Sequence, residues 1–170
     1  MIAFCGDHGI APVQAASLLA IMGVFDLIGT TASGWLTDRY DPRKLLFVYS
    51  TLRGLSLLAL PFTDFNLLAL SGFAVFYGLD WIATIPPTLR LATEAFGEQD
   101  APIVFGWVFA GHQLGAATAA LGAGLTRDMT GSYFAAFVVA GAMGLIAALA
   151  ALTIRLPQRE PALLGDQPAT

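Results

Sequence analysis

Gly34-Trp35-Leu36-Thr37-Asp38-Arg39-Tyr40-Asp41-Pro42-Arg43-Lys44 is the stretch on which the reading of the fold turns. It is short, polar and basic, and long apolar runs flank it, residues 13–36 before and 45–62 after. A helix rising about 1.5 Å per residue needs about 20 apolar residues to cross about 30 Å of hydrocarbon, and both runs are near that length. Outward from there, three more runs follow at 67–88, 102–126 and 133–154, each bounded by hydrophilic or turn-forming residues. The expected fold is all-α, a polytopic membrane bundle of about five transmembrane helices over residues 1–155. A Pro-rich tail, 156–170, is expected to be disordered and cytoplasmic.

Composition agrees. Hydrophobic residues make up 56% of the chain and charged residues 12%, roughly half the charged share with which a soluble domain solvates its surface. The single cysteine, Cys5, excludes an internal disulfide and a cysteine-based metal cluster, and reads as a small apolar residue. The first residues lack the basic, apolar and small-residue sequence of a secretory signal. Basic residues sort by connection: Arg39, Arg43, Lys44, Arg90, Arg155 and Arg159 fall on one side, Arg127 on the other and Arg53 inside a run. The positive-inside rule then puts 37–44, 89–101 and the C-terminus in the cytoplasm and the N-terminus outside, across the inner (plasma) membrane. An exterior N-terminus without a signal suggests upstream material, with residues 2–5 as the last turn of a preceding helix and Pro12 at the start of the next.

The 34–44 stretch resembles the cytoplasmic loop signature of the major facilitator superfamily. Gly34, Asp38, Arg39, Arg43 and Lys44 match it, whereas Asp41 replaces a glycine and Pro42 a basic residue, so an Asp-Pro pair must make the turn. The resemblance implies a carrier built of two six-helix halves, with this loop after the second helix of a half. In that family the loop joins helices two and three or eight and nine, and its weaker form usually lies in the C-terminal half, so the resemblance would make this chain helices eight to twelve, a partial half-bundle of a monocarboxylate-type member. As a latch, Gly34 would admit a neighbouring helix, Asp38 would accept from a helix end or pair with an arginine, and the basic cluster would sit at the anionic leaflet.

Asp26, Arg53, Asp80 and His112 lie deep inside the apolar runs, at about 12–15 Å from the cytoplasmic ends by helical rise. A charge near the bilayer centre costs about 2.5–3.5 kcal/mol, so each must pair, face the bundle or line a wet cavity. Polar neighbours share their helical faces: Gly23, Thr30 and Ser33 with Asp26; Tyr49, Ser50 and Ser56 with Arg53; Tyr77, Thr84 and Thr88 with Asp80. Asp26 and Asp80 are therefore candidate proton-coupling or substrate-orienting groups, Arg53 a counter-ion or anion contact, and His112 a titratable or hydrogen-bonding group with Gln113 beside it. The competing reading makes Arg53 and one aspartate a structural pair. Pro86 and Pro87 should kink or end the third helix. Gly111, Gly115 and Ala119, followed by Gly122 and Gly124, form a small-residue ridge for close packing in the fourth.

No phosphate-binding loop, zinc-ligand spacing or nucleophile elbow is present, and His8 and His112 are isolated, so neither catalysis, a metal nor a cofactor is expected. The acidic balance disfavours nucleic acid. The expected function is secondary transport of a small solute, such as an organic anion, by alternating access, as part of a larger carrier. Its expected partners are the lipid bilayer, the solute, protons, and missing N-terminal helices or a second copy. The alternative is a small membrane-interaction protein that packs against other helices and moves nothing.

Overall fold

A computed structural model describes residues 2–7, 9–63 and 67–155; the predicted tail lies outside them. The described residues form helices and turns and no strand: α1 (Ile2–Asp7), α2 (Pro12–Thr37), α3 (Pro42–Ala59, continued by a 3-10 turn to Phe62), α4 (Leu67–Trp81), α5 (Ile85–Thr130) and α6 (Phe134–Leu152). Prolines open α2 and α3, where a missing N–H costs nothing. Four helical stretches are long and apolar enough to cross a membrane: Pro12–Thr37, Pro42–Phe62, Leu67–Thr130 and Phe134–Leu152. The third has 64 residues; straight, it would run about 96 Å, some three times the hydrocarbon thickness. It is interrupted at 82–84 and turns a corner at Gly97, and so contains the third and fourth runs of the sequence.

That corner corrects one expectation. Residues 89–101, read as a connection, are helical except at Gly97, whose φ of 83° and ψ of 166° break the rod. A side chain at that φ would clash with its own backbone, so glycine is the residue that allows the turn. Leu91 and Ala92 are buried, so the segment before the corner packs an apolar face, with Arg90 and Glu94 as its charged residues.

The bundle is held by two helix pairs. α2 crosses α4 and α3 crosses α6, and both crossings use glycine. A Cβ at Gly29 would overlap the Leu79 carbonyl, and one at Gly78 would lie 2.6 Å from the Met22 oxygen. In the second pair a Cβ at Gly54 would lie 2.8 Å from the Gly141 oxygen. Such backbone approach is how helices associate where lipid removes the hydrophobic drive. Cys5, Ala15, Leu18, Met22, Leu60, Leu70 and Ala74 form one buried cluster, so Cys5 serves as the small apolar residue expected of it.

The expected glycine contacts lie elsewhere. Among the described residues nothing comes within 4 Å of a Cβ built at Gly34, Gly111, Gly115, Gly122 or Gly124. Every residue from 106 to 122 is exposed. The fourth-run ridge therefore has no partner among the described residues.

Candidate functional site

The loop of 34–44 ends α2 at Thr37 and starts α3 at Pro42. Asp41 makes the turn its sequence promised: its carboxylate accepts from the Arg43 amide at 2.9 Å, capping α3, and from the Arg43 guanidinium at 3.0 and 2.7 Å. These Arg43 bonds hold the Asp41 carboxyl below its usual range. Arg43 also donates to the Ile154 carbonyl at 3.3 Å, tying the loop to the end of α6. Arg39 lies over the Trp35 ring at 3.9 Å and donates to the Trp35 carbonyl. Asp38 is exposed at the C-cap of α2. At the opposite end of the bundle, Arg127 grips Asp7 through two hydrogen bonds of 2.8 and 2.6 Å.

Three of the four ionisable candidates, Asp26, Arg53 and Asp80, converge on the break between α4 and α5. Its cause is local. Pro86 and Pro87 have no N–H to give the carbonyls of Ile82 and Ala83, and Pro86 disfavours helical geometry at Ile85. At membrane depth each freed backbone group needs another partner. The Ile82 carbonyl accepts from the Ile85 amide at 2.9 Å, and the Ala83 carbonyl from the Ser33 hydroxyl at 2.5 Å. The Ile82 amide donates to the Asp26 carboxylate at 3.0 Å. Arg53 donates to the carbonyls of Asp80 and Trp81, the latter at 2.9 Å, and to the Asp80 carboxylate at 2.9 Å. Side chains from α2 and α3 thus cap both sides of the break.

This geometry bears on the candidate residues one by one. Asp26, Arg53 and Asp80 come together, as their common depth suggested. Asp80 is buried, with one carboxylate oxygen on Arg53 and the other without a hydrogen-bond partner among the described residues. The polar face expected to run from Asp80 to Thr84 and Thr88 does not exist as one face, since the helix is broken between them. Ser33, quoted only as a neighbour of Asp26, turns out to be a capping residue; its signal was the seven-residue spacing that puts both on one side of α2.

His112 and Gln113 stand apart from this cluster. They line a cavity of about 320 Å³ between residues 81–88 and α5 beyond its corner, together with Trp81, Thr84, Thr88 and Phe109. Both face it, although adjacent residues on a helix point about 100° apart. Phe105, Phe109 and His112 stack along one face of α5, with ring centroids 6.3 and 6.2 Å apart and planes within 22° and 29°. No group of three or more His, Cys, Asp or Glu able to hold a metal occurs among the described residues.

A polytopic bundle of apolar helices, with a helix broken beside a cavity and capped by half-buried charged side chains, is that of a multi-pass membrane protein. The chain belongs to the Major Facilitator Superfamily, whose family model matches residues 2–169. It is 35% identical over 144 residues to monocarboxylate transporter 13 of Rattus norvegicus, covering 84% of this chain and 33% of that protein. To monocarboxylate transporter 12 of Homo sapiens it is 32% identical over 146 residues, covering 83% and 28%. The uncharacterized MFS-type transporter YcxA of Bacillus subtilis (strain 168) is 30% identical over 121 residues, covering 68% and 30%. The chain spans about a third of the length of these curated relatives. No solved structure gives a significant match.

Proposed function

We propose that this chain forms part of a carrier that moves a small monocarboxylate across a membrane by alternating access, coupled to protons. Family membership and the monocarboxylate transporters of types 12 and 13 among its relatives support the substrate class. The observation that carries the reading is the cavity beside the α4–α5 break, since discontinuous helices are where such carriers bind solutes. In this proposal His112 and Gln113 contact the solute, and Asp26 and Asp80 are the groups whose protonation couples to movement. Arg53 holds the helix ends and balances Asp80.

The remaining helices of the carrier, or a second copy, would complete the cavity, with 37–44 and the C-terminus on the cytoplasmic side of the plasma membrane. The test is uptake of a radiolabelled monocarboxylate by proteoliposomes holding this chain alone or joined to the N-terminal part of a relative. Uptake by the joined form, stimulated by an inward proton gradient, is expected. Uptake by neither form while both are folded would overturn the reading. A second reading, a membrane-interaction protein that transports nothing, draws on the bare stretch 106–122; absence of uptake combined with specific co-purification of another helical protein would favour it.

A further inference from the structure

The cavity walls carry a chemistry of their own. One wall is the ladder of Phe105, Phe109 and His112, spaced four and three residues apart and therefore on one side of α5. The other segment brings Trp81, Ile82 and Ile85. No Asp, Glu, Lys or Arg lines the space, and the Arg53 guanidinium is occupied at the end of α4. Polar contacts are left to His112, Gln113 and the two threonines, of which Thr88 already donates its hydroxyl proton to the Thr84 carbonyl at 2.7 Å. Such walls select for the apolar body of a solute and only lightly for its charge.

Size and shape narrow the body further. The part of the cavity that this chain walls has a volume of about 320 Å³, roughly twice the ~150 Å³ that takes up a benzene molecule, so one ring and a short acid-bearing chain fit against these walls. Near-parallel rings on one wall offer the offset stacking that aromatic pairs prefer, which adds to the area they bury. A two- or three-carbon acid would leave most of this surface uncovered. We infer that the cavity is an aromatic slot and that its solute is an arylalkanoic monocarboxylate, with the ring against Phe105 and Phe109 and the carboxylate toward Gln113 and His112.

This inference rests on the monocarboxylate reading, and the experiment separates the two. The purified full chain in lipid nanodiscs is titrated with 3-phenylpropionate, propionate and 3-phenylpropionamide, with empty nanodiscs as the blank for partitioning. The expected result is 3-phenylpropionate bound at least about tenfold more tightly than propionate, the factor that burying a ring should supply. Phe109→Leu should remove most of that preference. Trp107→Leu, on the same helix but outside the cavity, should keep it. Phe105→Leu is the second variant if Phe109→Leu does not keep wild-type helicity and melting. Equal affinity for propionate and 3-phenylpropionate overturns the aromatic slot and leaves the monocarboxylate reading standing. Equal affinity for the acid and its amide overturns the carboxylate instead, and absence of saturable binding of all three, both by this chain and by its form joined to the N-terminal part of a relative, overturns both.

Discussion

Arg53 on α3 reaches the backbone of Trp81 on α4, its guanidinium nitrogen 2.9 Å from the Trp81 carbonyl oxygen, while the same group holds the Asp80 carboxylate. One side chain thereby closes a helix end and neutralises the acid next to it. The Arg53 side chain is 22% exposed and the Asp80 side chain 5%, so neither charge can be satisfied by solvent alone.

Replacing Arg53 by Leu should therefore be severe. An uncompensated buried partner costs about 3–5 kcal/mol, and two carbonyls lose their donor as well. The double variant Arg53→Leu/Asp80→Leu removes the stranded charge but not the stranded carbonyls, so it should recover only part of the loss. Denaturation in mixed micelles measures both. Full recovery in the double variant would show that the backbone contacts contribute nothing.

Asp26 should separate its two roles by substitution. Asp26→Asn keeps an oxygen for the Ile82 amide and should stay within about 1 kcal/mol of the wild type, whereas Asp26→Ala leaves that amide, on a membrane-spanning segment, without its acceptor at about 1–3 kcal/mol. If Asp26 also carries a coupling proton, Asp26→Asn in the joined carrier folds normally and loses proton-driven uptake. Wild-type coupling in that variant would limit Asp26 to capping.

Two glycine substitutions should behave oppositely. Gly29→Ala drives a methyl group into the Leu79 carbonyl and should cost at least the ~1–3 kcal/mol of overpacking. Gly115→Ala meets nothing and should be neutral or stabilising by up to about 1 kcal/mol, since alanine is the better helix former. Melting temperatures of the two variants decide it.

The Asp41 cap should make the loop acid-sensitive. Its carboxyl titrates below the usual range in the folded chain, so its contribution is complete above the unfolded carboxylate range near pH 4 and disappears as the pH falls through the lower folded value. Asp41→Ala should cost about 0.5–2 kcal/mol at neutral pH, as loss of an N-cap does. The difference in stability from the wild type should shrink toward pH 3, and a constant difference down to that pH would remove the cap from the account.

Much of this was legible in the residues. The apolar runs declared a membrane bundle, the 34–44 loop its family, and the prolines the broken helix, because each follows from local chemistry. The common depth of the buried charges left open a pair of Arg53 with one aspartate, and the structure makes that partner Asp80. What was not legible depended on which neighbour arrives. A ridge such as Gly111 and Gly115 shows where approach is possible, whereas the single glycines Gly29 and Gly78 are approached because α2 and α4 cross there. Residues 89–101 read as a connection because they lie between two apolar runs and carry charges at Arg90, Glu94, Glu98 and Asp100, yet a helix needs only one apolar face, and Leu91 and Ala92 supply it.

The pairing of α3 with α6 also sets an order of events during synthesis. Gly54 and Gly141 stand about 90 residues apart in the chain, so at roughly 5–20 residues per second the first helix of the pair waits on the order of 5–20 s for its mate. Throughout that interval Arg53 sits in the bilayer on a helix whose longest contact has not yet been made. Asp80 emerges much earlier than α6, and the ion pair is thus available to hold α3 in register before its main packing partner exists. The charge that looks costly in the finished bundle is, during assembly, the contact that arrives in time.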